Sequence, residues 1–515
     1  MTPDPLARGN WDVIVVGAGM GGGLAARALT EAGLRVLILD RGRMGHRAEE
    51  THFDQTITDP VARTVRGFWP EPVTAIVDGE SRTFHAPLGM GPGGSSTFYA
   101  ATLERPAPHD LDASNAHPHP VGGWPVSFAK WEPWFDRAEA MLNVHGTPDP
   151  IYESPRPSLA APPDPTAGDA AIMEKLTANG MHPYRLHAAV QYLPDCAECF
   201  GRKCPRPCKM DGRSSGIEPA LASGRAAYAG GVEVLGLQAK GGRITGIHIR
   251  RDGAETVVAS ARVVLAAGAL SSPRIIMGSD GMELTGPVGQ NLMFHLNEMF
   301  AVFPGRAAAA GPSKSVGFRD LYQIDGTRLG MVQAMGVDAG EGEILHILRE
   351  RAGRSAIGRS RLAREALRLP AKIGANVLGQ AKLFVGLIED FPLRENRALR
   401  NAADPMAIHF EYRIADELRD RRTLFRREIR KAFKGMPLLF LNHQPEPNFG
   451  HPCGTLAMST DPAKGVVDAR GRMHGIENLW VADASVFPTS MGVNPSLTIA
   501  AHALRVANHI SKEAA

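Results

Sequence analysis

The segment Val13–Asp40 constrains this chain more than any other. Val13-Ile14-Val15-Val16 is a continuous β-branched run, as expected of a parallel strand buried on both faces. Gly17-Ala18-Gly19-Met20-Gly21-Gly22 follows it. Leu24–Ala32 then reads as a helix closed by Gly33, and Val36-Leu37-Ile38-Leu39 as a second buried strand ending at Asp40. A G-x-G-x-x-G turn between a strand and a helix is the context that dinucleotide binding requires. Gly17 permits the tight turn, Gly19 lets the backbone approach a pyrophosphate, and Gly22 lets the helix lie close on the strand. Free N–H groups and the dipole at the helix N-terminus favour the negative charge. Asp40, 23 residues after Gly17, is placed for ribose hydroxyls. The turn alone does not separate NAD from FAD.

The rest of the chain fits a large globular protein. At 515 residues it has room for two or more domains. A composition 43% hydrophobic and 22% charged argues against a mainly disordered chain, a collagen and a disulfide-dense miniprotein. Lys plus Arg number 57 and Asp plus Glu 54, a net +3 that gives no global drive toward nucleic acid. Arg349–Lys372 departs from this balance: seven Arg and one Lys against two Glu give a local +6. A solvated helical face or an active-site lid is favoured there over a docking or membrane-surface patch.

The opening residues MTPDPLARGNWDV lack a basic stretch followed by an apolar one, and the run Val13–Ala26 stops at Arg27, too short to span a bilayer. A cytoplasmic protein with no transmembrane segment is expected, export with a partner staying open. Ala261–Gly268 reads as another buried strand. Ile408, Phe410, Tyr412 and Ile414 alternate as in a half-exposed strand, and Glu417–Lys434 reads as a helix with Phe425, Ile429 and Phe433 on one face. Residues 104–123 and 153–166, rich in Pro, Ala, His and Asp, read as surface excursions.

Several stretches together resemble the glucose–methanol–choline (GMC) family of FAD-dependent oxidoreductases. Gly91-Pro92-Gly93-Gly94-Ser95-Ser96 is similar to its second Gly-rich loop, which covers flavin and pyrophosphate. Trp124-Pro125 with Trp131 to Leu142 resembles its "WP … YYDRAE" stretch. Val232-Glu233-Val234 resembles the strand whose backbone receives the adenine. Ala267-Gly268-Ala269-Leu270-Ser271-Ser272-Pro273 resembles its second signature, and Gly286–His295 its "vGrnLxdH" run. Glu389-Asp390-Phe391-Pro392 with Asn396-Arg397 resembles the stretch before its substrate-domain strands. His451-Pro452-Cys453-Gly454-Thr455, Gly465-Val466-Val467-Asp468 and Leu479–Thr498 complete the likeness.

The resemblance implies an α/β protein (α+β overall). A Rossmann-like FAD-binding domain would be discontinuous, over residues 1–100, 215–300 and 450–515. A substrate-binding domain, an antiparallel sheet flanked by helices, would use 101–214 and 301–449. Asp483 and Ala484 would begin a helix-cap region near the flavin, and the Asn494-Pro495 turn would bring backbone N–H groups toward its ring.

The resemblance also implies a catalytic pair, His451 and Asn494. A small-molecule alcohol would lose a hydride to flavin N5 and a proton to His451, whose neutral imidazole has an unperturbed pKa of about 6.5. Asn494 cannot titrate but can hydrogen-bond the same hydroxyl. His85, His295, His409 and His443 are read as ordinary structural or solvated histidines. Family members that bind FAD covalently use a His just after the second Gly-rich loop. This chain has Thr97-Phe98-Tyr99 there, so the FAD is expected to be non-covalent.

Four of the five cysteines crowd into Cys196, Cys199, Cys204 and Cys208. That spacing could close four thiolates on one metal. It also resembles the Cys-rich segment of GMC dehydrogenases with an iron–sulfur cluster. An iron–sulfur cluster, zinc, and metal-free thiols or disulfides all stay open. A cluster would suit a dehydrogenase that passes electrons to an acceptor protein or small subunit. A flavin-containing lyase is the remaining alternative.

Overall fold

The computed structural model describes residues 4–7, 9–47, 59–152, 156, 158–305, 314–337, 340–352 and 360–514. Its nucleotide-fold sheet has five parallel strands, in the order Leu479–Val481, Val263–Leu265, Val13–Val16, Val36–Asp40 and Ala226–Gly230. The apolar runs form its centre: Val13, Ile14, Val15 and Leu37 have no exposed surface. Burying each such side chain contributes roughly 1.5–3 kcal/mol. Strands from three distant parts of the sequence therefore make one sheet. Helix Met20–Glu31 packs on one side of it, against the C-terminal helix Ser496–Ala514. Val232–Lys240, Arg243–Arg251 and Ala254–Ala259 form a separate antiparallel meander.

The second large sheet has six strands, in the order Leu438–Phe440, Leu296–Val302, Lys382–Ile388, Val332–Ala334, Val316–Phe318 and Tyr184–Arg185, all antiparallel. Helix Asp416–Ala432 covers one face, burying Phe425 and Ile429, with Phe433 just beyond its end. The other face looks toward the nucleotide fold. A third sheet pairs Arg397–Leu399 and His409–Tyr412 with Val73–Val77 and Glu80–Phe84. It thus joins the first hundred residues to the 301–449 stretch. Ile408, Phe410, Tyr412 and Ile414 are all buried while His409 and Glu411 are part-exposed, in keeping with their alternation.

The reading of 104–123 as a surface excursion holds for most of 112–123 and is corrected for 104–111. Glu104, Asp110 and Leu111 have no exposed surface, and Arg105 is buried. The charges are tolerated because they are paired: Arg105 binds Glu139, and Glu104 accepts from Arg319 at 2.9 Å and from the His187 amide at 3.0 Å. Polar composition alone does not reveal such pairing. Of 153–166, residues 153–155 and 157 lie outside the described residues, and the rest are part- or fully exposed.

Residues 353–359 of the +6 segment also lie outside the described residues. Its remainder includes helix Arg361–Ala366, which buries no side chain, and the start of helix Arg368–Leu378. Among the described residues no helix is long and apolar enough to cross a membrane.

Candidate active site

A cavity of about 430 Å³ runs from the nucleotide-fold turn to the six-stranded sheet. At the first end it is lined by Gly17, Gly19 and Asp40, by Gly94, Ser95 and Ser96, and by Val232. Ala267, Gly268, Asp483 and Ala484 line its side. His451, Asn494 and Pro495 stand toward the second sheet. Residues separated by more than 400 positions thus share one wall.

Gly22, Gly91 and Gly93 do not line the cavity but build it, and Gly17 does both. A Cβ on Gly22 would lie 1.9 Å from the Gly17 carbonyl oxygen, so Gly22 sets the contact of helix and turn. Gly17 has φ +98°, and a Cβ there would meet the Ala266 oxygen at 2.4 Å. Both demand glycine. Gly91 and Gly93 fix the second loop: the Gly93 amide donates to Ala18 O at 2.7 Å, and the Gly91 amide to Asp40 Oδ1 at 2.7 Å.

Asp40 has a larger local task than its sequence position suggests. Oδ2 accepts from the Ala18 amide, and Oδ1 from the amides of Gly42 and Gly91, each at 2.7 Å. One carboxylate thereby clamps both Gly-rich loops. Burial raises its pKa, and the three amides oppose the rise. A carboxylate has about four acceptor sites, which leaves about one for a ribose hydroxyl. Asp483 acts similarly: Oδ2 accepts from the Gly268 amide at 2.8 Å and the Ser272 hydroxyl at 2.6 Å, and Oδ1 from the Ser485 amide at 2.9 Å. Beside Val232 the cavity wall gains two residues that the sequence did not single out. Arg41 lies 4.5 Å over the Trp69 ring and donates to Glu71 and Glu233.

The reacting end contains a pair of histidines. His295 is buried, and its Nε2 lies 2.9 Å from Met491 O. A carbonyl only accepts, so this nitrogen carries the hydrogen. Nδ1 of neutral His295 is then an acceptor, and His451 Nδ1, 3.2 Å away, donates to it. This leaves a lone pair on Nε2 of His451, the form a base needs. Burial first, then His295 and Lys314, holds the His451 pKa well below its usual range; burial likewise pushes His295 down to about 4. Both rings are neutral at pH 7. His295, read from the sequence as an ordinary histidine, is thus buried in hydrogen-bond contact with His451. Asn494 precedes helix Ser496–Ala514, and its side-chain oxygen is buried with no hydrogen-bond partner. Such an orphan acceptor facing a cavity fits a site that receives a hydroxyl.

The residues fit FAD at the first end as well: two interlocked Gly-rich loops, a helix N-terminus and a cavity continuous with the histidine pair. Phe98, in the position where covalent members have His, is buried and stacked on Phe68 at 4.1 Å.

The cysteine segment forms two thiol pairs. Cys208 Sγ lies 3.4 Å from Cys196 Sγ, and Cys199 hydrogen-bonds Cys204, whose thiol is pulled down in pKa by that bond. Among the described residues no three His, Cys, Asp or Glu side chains converge to hold a metal ion. Of the alternatives left open for these four cysteines, an iron–sulfur cluster or zinc is thus unsupported, since spacing gives reach but not convergence. The loop is held instead by Lys209, whose buried ammonium donates to Tyr99 O at 3.2 Å and Cys199 O at 2.8 Å. Cys453 is buried and packed.

Comparison with known proteins agrees with this architecture. The chain is 26% identical to 6'''-hydroxyparomomycin C oxidase of Streptomyces lividus, covering 98% of this chain and 93% of the relative. It is 26% identical to paromamine 6'-oxidase of Streptomyces fradiae, covering 97% and 91%. To the fructose dehydrogenase large subunit of Gluconobacter japonicus it is 24% identical, covering 97% of both. Among solved structures, formate oxidase of Aspergillus oryzae superposes with a TM-score of 0.68 at 16% identity, covering 98% of both chains. An FAD-dependent oxidoreductase of Chaetomium thermophilum gives 0.65 at 17%, covering 98% of this chain and all of the other. The profile of the GMC oxidoreductase N-terminal part matches residues 12–297, and that of the C-terminal part residues 396–503. The chain belongs to the GMC oxidoreductase family.

Proposed function

We propose that this protein oxidises an alcohol CH–OH group with non-covalent FAD, His451 taking the hydroxyl proton and Asn494 holding the same oxygen. The chain's place among FAD-dependent GMC oxidoreductases supports the reaction class. The single observation that supports the roles is the hydrogen-bond chain Met491–His295–His451, which leaves His451 with an acceptor nitrogen at the cavity wall.

Bound FAD supplies the hydride acceptor. The chain's own residues supply the rest. The Gly17–Gly22 turn and the second Gly-rich loop, tied by Asp40, receive the pyrophosphate. Asn494 offers an unused oxygen to the substrate hydroxyl hydrogen, which orients that hydroxyl for transfer. Neutral His451 accepts the proton at Nε2 and delocalises the charge over its ring, while His295 keeps Nδ1–H in place. A general base of this kind contributes roughly 10²–10⁴-fold.

The test is anaerobic mixing of the FAD-loaded protein with a panel of aldoses, glycosides, sterols and benzylic alcohols. Loss of the oxidised-flavin absorbance with formation of the carbonyl product is expected. Absence of bleaching by every alcohol, in protein that dithionite bleaches, would overturn the reading. Substrate turnover without bleaching would instead favour a lyase. Reoxidation by O₂ or only by an added acceptor separates oxidase from dehydrogenase. The relative named as a large subunit makes a partner protein one acceptor to try.

A further inference from the structure

We infer that helix Arg368–Leu378, with the short helix Arg361–Ala366 before it, is a docking surface for the face of an anionic lipid bilayer. Docked, it lies along the membrane plane, with its apolar stripe among the acyl chains and its basic side chains at the phosphates. The inference is independent of the alcohol-oxidation reading above.

The helix is built the wrong way round for a solvated surface. At about 100° per residue, Leu369, Ile373 and Val377 share one face within about 80°. An amphipathic helix ordinarily turns such a face to the core. Here the face points outward: Leu369 is 67% exposed, Ile373 56% and Val377 49%. Leu362, on the preceding helix, is 86% exposed. Four of the eleven exposed large aliphatic side chains among the described residues thus fall between positions 362 and 377, which makes a patch rather than scatter. The opposite face is the packed one. Ala371 has no exposed surface, and a Cβ on Gly374 would lie 3.5 Å from Ile344 of helix Glu341–Ala352. The fold therefore holds the helix in place and, among the described residues, leaves its apolar stripe open.

Charge selects the occupant. Residues 361–378 carry three Arg and one Lys against one Glu, a net +3. Glu365 is taken up by Arg349 at 3.1 Å and Arg368 at 2.7 Å. Arg361, Arg364 and Lys372 are exposed and form no ion pair among the described residues. Lys372 and Arg368 flank Leu369 on one side, about 60° and 100° round the helix. Their long stems can follow the apolar stripe and set the charges at its border. Apolar side chains bordered by cations match the hydrocarbon and phosphate layers of an anionic leaflet. The whole chain is also only +3, so its remainder sums to zero and a second copy offers no net negative counterpart. A folded acidic partner fits less well too. A stable protein interface covers about 800 Å² on each side, and one convex helix with four aliphatic side chains presents only a narrow ridge. The ridge belongs to the connection between strands Val332–Ala334 and Lys382–Ile388, whose Gln333, Val385 and Leu387 line the cavity. Docking there brings the lipid surface to the sheet that walls the site.

The experiment is flotation of the FAD-loaded full chain with vesicles of equal parts phosphatidylglycerol and phosphatidylcholine, against phosphatidylcholine alone. Binding to the anionic vesicles is expected to be roughly tenfold tighter or more, and to weaken as salt is raised. Leu369→Ser with Ile373→Ser, and separately Arg364→Gln with Lys372→Gln, are each expected to lower vesicle affinity roughly tenfold or more. All four side chains are exposed, so FAD content and melting temperature should stay as in wild type, which separates loss of docking from loss of fold. No binding to either vesicle, equal binding to both, or binding unmoved in both variants would overturn the inference. Self-association that the substitutions abolish while vesicle affinity stays unchanged would assign the ridge to a second copy and overturn it too.

Discussion

Replacing His295 with Leu isolates the tautomer argument. The substitution removes the acceptor 3.2 Å from His451 Nδ1 and leaves that N–H buried without a partner. A buried donor left unpaired costs roughly 1–3 kcal/mol. His451 escapes that cost by moving its hydrogen to Nε2, which abolishes the acceptor facing the cavity. At about 1.36 kcal/mol per tenfold, the flavin-reduction rate constant should fall roughly 5- to 150-fold. His451→Ala, which removes the base, should cost roughly 10²–10⁴-fold. Because His295 acts only through His451, the double variant should be no slower than His451→Ala alone. The assay is anaerobic stopped-flow reduction at saturating alcohol, with FAD content measured for each protein. A His295→Leu rate within twofold of wild type, or a double variant showing the product of both losses, would refute the reasoning.

Three further outcomes are expected. Because burial, His295 and Lys314 depress the His451 pKa, the base stays unprotonated below pH 6.5; the reduction rate at pH 6 should equal that at pH 7.5, and an acid limb centred at 6.5 would contradict this. Gly22→Ala drives a Cβ into the Gly17 carbonyl at 1.9 Å; the purified variant should lack flavin colour and melt below wild type, and full FAD occupancy would count against the turn's assigned role. Acid precipitation should leave the yellow colour in the supernatant, since Phe98 has no nucleophilic atom to bond FAD; a coloured pellet would show a covalent link.

Sequence alone determined the features written in contiguous residues. The β-branched run, the glycine turn and the second strand of Val13–Asp40 are local patterns, and the strand and turn appear where they predict. The closing stretch from His451 to Thr498 is likewise legible as family motifs, and its His451, Asp483 and Asn494 line the cavity. The helix bearing Phe425 and Ile429 follows from periodicity. Tertiary structure decided what depends on distant partners. Asp40 became a clamp only when Gly91 folded back onto it, and His295 met His451 only from 156 positions away. The polar stretch near Glu104 became core because Arg319 pairs with it, 215 residues along the chain. Four closely spaced cysteines settled into two pairs. Sequence periodicity records which face of an element is buried, but a hydrogen bond's partner, and hence a proton's position, exists only once the chain has closed on itself.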